Sequence, residues 1–187
     1  MLPGQKVICI FGFCDIRNFT DTTEILQEDV MLFVNEIGEI VHGLVYKYLG
    51  TANKNIGDAF LLVWKLQERN MLRTPGSDEL ELIPSTEVQQ LADVSMISFL
   101  KVIAQLKRSR KLAKYKNHDG LCNRIEDPYE VKMGFGLHIG WAIEGAIGSF
   151  YKIDASYLSP NVNLASRLEA ATKQFGVPLL FSGQLYD

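Results

Sequence analysis

Residues 6–14 are rich in Val, Ile and Phe and give way to a polar run that lasts to Glu24, the pattern of a buried strand opening into a loop. Over residues 27–49 the apolar side chains Val30, Phe33, Val34, Ile37, Val41, Leu44, Val45 and Tyr48 recur at steps of three and four. That spacing predicts a long amphipathic helix, closed by Gly50. Residues 51–56 and 59–64 read as two short strands joined by a tight turn at Gly57-Asp58. Residues 66–84 have little periodicity, carry Pro75-Gly76 and a cluster of acids, and read as a surface excursion. Helical spacing returns over 88–115 through Leu91, Val94, Ile97, Leu100, Ile103 and Leu106. Residues 131–139 and 142–147 read as a second hairpin linked at Gly140-Trp141, followed by a helix over 160–172 with Pro160 in its first turn and a strand beginning at 178–181. The order β, α, β, β, α, β, β, α, β predicts one α+β domain, a largely antiparallel sheet with helices packed against it.

Composition narrows the setting. The chain has 187 residues, 47% hydrophobic and 22% charged, which is enough for one domain with a real core. A net charge of -3 gives no general attraction to nucleic acid or to an acidic membrane, so an anionic substrate must be held by specific groups. The one basic run, KRSRKLAKYK, reads as a solvated helix end balanced by acids, and no nucleic-acid partner is expected. Cys9, Cys14 and Cys122 are an odd count without a pairing pattern and fit a reducing, cytoplasmic location. No apolar stretch approaches the about 20 residues that span a bilayer, so membrane attachment is expected only through parts outside this chain.

Candidate chemistry gathers at strand ends. Asp15 in FGFCDIRNFT and Asp58 in KNIGDAFLLVW each sit where a strand stops, and a β-α-β crossover brings both to one edge of the sheet. Paired carboxylates suit a hard divalent cation that shares its coordination with substrate phosphates. Either aspartate alone is an ordinary turn residue. Asn18, Phe19 and Thr20 follow Asp15 in a loop whose N–H groups, with the Thr20 hydroxyl, suit phosphate oxygens. Lys54, four residues before Asp58, falls on the same strand face and can approach the same cleft. Asn163 and Arg167 stand four apart on one helix face, an amide and a guanidinium suited to a ribose and a phosphate. His138 lacks a second histidine at ligand spacing and reads as a packed strand residue.

The segments FGFCDIRNFT, KNIGDAFLLVW, GFGLHIGWAIEGAIGS and LSPNVNLASRLEAA, in this order, resemble the catalytic domain of the class III nucleotidyl cyclases, the adenylyl and guanylyl cyclases. The resemblance spans nearly the whole chain, 1–187, as a single domain and implies a ferredoxin-like βαββαβ core. It implies attack of a nucleoside triphosphate's 3′-hydroxyl on its own α-phosphate, giving a 3′,5′-cyclic nucleotide and pyrophosphate. Asp15 and Asp58 match the metal-binding aspartates, with the Ile16 carbonyl as a further ligand, for two Mg²⁺ or Mn²⁺ ions per site. Asn163 matches the residue that orients the ribose, and Arg167 the one that stabilises charge at the α-phosphate. Lys54 and Ser156 match the base-reading pair, where lysine favours ATP over GTP and serine is less decisive. In the family Asn163 and Arg167 face the aspartates of a second chain, so a head-to-tail homodimer is implied.

A guanylyl cyclase and a silent dimerising module are the alternatives. Three departures stand out: Ser159-Pro160-Asn161 in place of a Gly-Asp or Gly-Asn helix start, a long connection or insertion over 66–123, and an end at Asp187 ahead of the family's final hairpin with its phosphate-binding lysine.

Overall fold

The computed structural model describes residues 3–74, 76, 77 and 79–186. Strand β1 (Gln5–Ile16) leads into helix α1 (Phe19–Leu26), a 3₁₀ turn, and helix α2 (Val30–Lys47). The hairpin β2 (Thr51–Ile56) and β3 (Ala59–Lys65) follows, then a small two-stranded sheet, β4 (Met71–Arg73) with β5 (Leu80–Leu82). Helix α3 (Thr86–Arg108) and the short α4 (Asp119–Arg124) precede β6 (Met133–Gly148) and β7 (Ile153–Leu158). The described chain closes with α5 (Pro160–Phe175), β8 (Leu179–Phe181) and a last turn, α6 (Gly183–Tyr186).

The main sheet runs β2-β3-β1-β6-β7, all antiparallel, with β8 parallel to β6. Its first four strands, interleaved with α2 and α3, have the connectivity of a ferredoxin-like core. Alternation along β1 divides the interior. Ile8, Ile10, Cys14 and Ile16 face α2 and α3, where Phe33, Ile37, Val41, Phe99 and Val102 complete the larger core. Val7, Cys9 and Phe11 face the other way, toward Ala142 on β6 and Ala165 on α5.

Four expectations are corrected. The polar run after β1 is not all loop, because Thr22 and Leu26 are buried and Phe19 packs on the core, an inward spacing of three and four that hides behind a threonine. The helix over 88–115 ends at Arg108, after which Leu112 and Tyr115 turn back into the core, Tyr115 meeting the Phe33 ring at 4.9 Å. The 66–84 stretch carries the β4-β5 sheet, tied down by Arg73 donating to the Lys6 carbonyl at 3.0 Å and by Glu87 binding Arg69 and Asn70. Pro75 of that stretch and the terminal Asp187 lie outside the described residues.

The fourth correction bears on the site. Gly140-Trp141 is no turn: β6 is one sixteen-residue strand, in register with β1 from Gln5↔Glu144 to Ile16↔Met133. Its glycines serve helix packing. A Cβ at Gly136 would lie 2.2 Å from the Ala165 carbonyl oxygen, and one at Gly140 would lie 2.4 Å from the Asn161 side chain. The chain reverses after Gly148 instead, where Ser149 N–H donates to the Lys152 carbonyl at 2.8 Å.

Candidate active site

Asp15 pairs with Ala59 at the last position of the β1-β3 ladder, and Ile16 N–H donates to the Asp58 carbonyl at 3.2 Å. The strand end and the β2-β3 turn are thereby stitched together, and both aspartates occupy one edge. Burial first, then the Asp58 and Glu169 carboxylates, push the Asp15 carboxyl up to about 6, with Lys173 and Arg17 countering only in part. Two half-buried carboxylates that repel one another are short of positive charge. Their oxygen donors fit a hard divalent cation, with the Ile16 carbonyl beside them. Among the described residues no group of three or more His, Cys, Asp or Glu side chains gathers, so further ligands would come from water and substrate.

Asn18 adopts a left-handed conformation (φ 56°, ψ 32°) and turns the chain from β1 into α1. Phe19 and Thr20 therefore open a helix, and the first N–H groups of that helix lack intrahelical acceptors, as a phosphate-binding edge requires. Cys14, next to Asp15, is fully buried with its thiol pKa raised well above the usual value by burial, which makes it a packing residue.

Lys54 lies on β2, the strand that runs into the turn carrying Asp58. Its ammonium donates to Ser156 Oγ on β7 at 2.5 Å and makes no ion pair with Asp58, which sits in the turn where alternation ends. The β2-β3 register shifts between Ala52 and Lys54, so Asn53 and Lys54 both reach β7, Asn53 donating to the Ala155 carbonyl at 3.4 Å. Strands β2 and β7 are the two ends of the sheet path. Their contact shows that the sheet curls until its edges meet, over the face that carries α5.

Helix α5 starts cleanly despite its unusual residues. Ser159 Oγ accepts from Asn161 N–H at 3.0 Å as N-cap, and Pro160 takes the first helical position. Ala165, Glu169 and Thr172 form the buried face, whereas Asn163 and Arg167 are exposed and make no side-chain hydrogen bond or ion pair among the described residues. The residues of α5 whose charges act on Asp15 are Glu169 and Lys173, whereas Asn163 and Arg167 lie on the exposed side of the helix.

Several residues that hold this arrangement escaped the sequence reading. Arg17 Nη1 stands 2.9 Å from Glu169 Oε1, an ion pair with both side chains largely buried, and Arg17 Nη2 donates to Thr172 Oγ1. Burial raises the Glu169 pKa and the Arg17 guanidinium opposes that rise. The signal was legible: a glutamate inside the inward stripe of a helix needs a buried cation. At the other end of α5, Asn161 Nδ2 donates to the Trp141 carbonyl at 2.9 Å, so its Oδ1 must accept from His138 Nε2–H at 3.0 Å. His138 Nδ1 is then the acceptor for Ser182 Oγ–H at 2.8 Å, which fixes the neutral tautomer of a buried histidine whose pKa burial lowers. His138 is the packed strand residue its sequence context implies. In the basic run, Lys111 and Lys114 are tied to Glu39 and Glu36 of α2.

Comparison with known proteins agrees with this geometry. Residues 3–179 match the family model described as the adenylate and guanylate cyclase catalytic domain. An adenylate cyclase of Anabaena cylindrica is 23% identical over 171 residues, covering 91% of this chain and 28% of that protein. The terminal-differentiation-specific adenylate cyclase of Dictyostelium discoideum is 28% identical over 178 residues, covering 95% of this chain and 7% of that protein. The chain therefore spans less than a third of either relative. The solved structure of a bacterial light-regulated adenylyl cyclase superposes with a TM-score of 0.75 at 28% identity, over 100% of this chain and 46% of that one. With its ferredoxin-like core, paired strand-end aspartates and cyclase-like sequence from end to end, the chain belongs to the family of adenylate and guanylate cyclase catalytic domains.

Proposed function

We propose that this domain converts ATP to 3′,5′-cyclic AMP and pyrophosphate, in a site shared between two copies of the chain. The observation that carries the choice of base is the Lys54–Ser156 pair. Adenine offers an acceptor at N1 beside a donor amine at N6; Lys54 donates to the first and the Ser156 oxygen accepts from the second. Guanine carries N1–H, a donor that an ammonium cannot satisfy.

Asp15, Asp58 and the Ile16 carbonyl would hold two Mg²⁺ or Mn²⁺ ions, which lower the pKa of the attacking hydroxyl and neutralise the leaving pyrophosphate. The 3′-oxygen forms a bond to the α-phosphorus, the bond from that phosphorus to the bridging β-phosphate oxygen breaks, and the hydroxyl proton leaves to solvent. Asn163 fixes the ribose so that the 3′-oxygen lies in line, and Arg167 spreads its fork of donors over the charge growing at the α-phosphate. The open start of α1 at Asn18, Phe19 and Thr20 receives phosphate oxygens.

The two-chain reading is supported by α5. Its buried face turns Glu169 toward the Asp15 edge, and Asn163 and Arg167 look outward. One chain then offers Asp15 and Asp58 at one site and Asn163, Arg167, Lys54 and Ser156 at another. Mixing Asp58→Ala and Arg167→Ala proteins, each inactive alone, tests this. Random pairing should restore roughly a quarter of native turnover, since half the dimers are mixed and each keeps one intact site. An inactive mixture would refute the shared site, and preferential cyclic GMP formation from equal ATP and GTP with Mn²⁺ would refute the choice of base.

A further inference from the structure

A second cavity lies behind α5, on the side away from Asn163 and Arg167. It encloses about 370 Å³ between the C-terminal halves of α3 and α5 and the start of β6, within the roughly 300–1,000 Å³ of small-molecule sites. Its floor is apolar: Leu106, Met133 and Phe135 are all buried. Four cations, Arg17, Lys107, Lys132 and Lys173, line it with Glu130, and Glu169 just behind the lining pairs with Arg17. Lys132 is engaged by Glu126 at 2.5 Å, whereas Lys107 and Lys173 make no ion pair among the described residues.

Arg17 gives the cavity a specific donor. Its Nη1 stands 2.9 Å from Glu169 Oε1, in an ion pair shielded from solvent. A carboxylate is the partner that a planar guanidinium fork fits. The existing partner is itself a carboxylate, so an incoming one replaces like with like.

We propose that this cavity binds a small amphiphilic carboxylate, its apolar body on Leu106, Met133 and Phe135 and its head between Arg17 and the Lys107 and Lys173 ammonium groups. Arg17 follows Ile16 directly at the metal-binding edge and pins α5 through Glu169 and Thr172. A ligand that draws Arg17 away from Glu169 loosens α5 against β1, and α5 carries Asn163 and Arg167. Occupancy therefore lowers cyclase turnover. This last step rests on the proposed function; the binding does not.

Calorimetric titration of the protein with monomeric decanoate separates the two. One saturable site per chain is expected, with decan-1-ol binding at least tenfold more weakly. Ile103→Trp, which fills the cavity from its rim, should abolish binding, and Lys107→Glu should weaken it severalfold; neither residue touches the aspartates or the base pair. Equal affinity for the alcohol, no saturable binding, or unchanged binding in Lys107→Glu would overturn the site. In an assay with Mn²⁺ and ATP, decanoate should reduce turnover severalfold in the native protein and not in Ile103→Trp. Binding without that reduction would overturn the coupling to α5. A protein inactive under every condition would contradict the cyclase reading and leave the calorimetric result standing.

Discussion

In the proposed reaction substrate choice turns on Lys54, because its donor-only ammonium meets an acceptor on one purine and a donor on the other. Lys54→Glu should lower cyclic AMP formation at least tenfold and raise the ratio of cyclic GMP to cyclic AMP, measured with ATP and GTP in competition. An unchanged product ratio would move base recognition away from β2. Residues of this kind were legible in the sequence, since Asp15, Lys54, Asp58, Ser156, Asn163 and Arg167 sit in short strings whose order carries the resemblance. Arg17, Asn161 and His138 were not read as part of the site. Their work depends on partners 152, 23 and 44 positions away, in Glu169, His138 and Ser182, and only folding reveals such pairs.

At the scale of the element, α5 and β6 act as a unit. The helix lies on Gly134, Gly136 and Gly140, pinned at one end by Arg17–Glu169 and at the other by His138–Asn161. Gly136→Val should force the helix outward, because the added Cβ falls 2.2 Å from one backbone atom of α5 and 2.5 Å from another. Overpacking of this kind costs about 1–3 kcal/mol, readable in the urea midpoint, and turnover should fall more than tenfold as Arg167 shifts. Native-like turnover in a stably folded Gly136→Val protein would show that the α5 position is not critical. The same glycines misled the strand reading, since a glycine in a strand signals a bend as readily as a close backbone approach. The helix that decides between these meanings lies twenty or more residues downstream.

For the whole molecule, the informative surface is the β6-β7 arm. Phe150 and Tyr151 at its tip are 96% and 94% exposed, with Ile147 and Ile153 exposed beside them. Exposed apolar groups of this size, gathered on one arm, fit the surface of a second copy in the proposed head-to-tail pair. Phe150→Ser with Tyr151→Ser should leave the far-UV circular dichroism of the folded chain unchanged, since both side chains are exposed. It should shift sedimentation from dimer to monomer and remove turnover, although every proposed catalytic side chain is intact. A doubly substituted protein that still sediments as a dimer would place the interface elsewhere.

The local pattern revealed the principal strands and helices and the proposed chemical groups, because periodicity and strand-end placement are local properties of a chain, but it split β6 at Gly140-Trp141 and missed α1 and the β4-β5 pair. The tertiary structure alone decided where those groups go. It stitched Asp58 to the end of β1, curled the sheet until Lys54 met Ser156 across strands at opposite ends of its path, and left Asn163 and Arg167 on the exposed side of α5. These are consequences of sheet curvature and of which helix face is buried, quantities set by contacts between distant segments and absent from any local pattern.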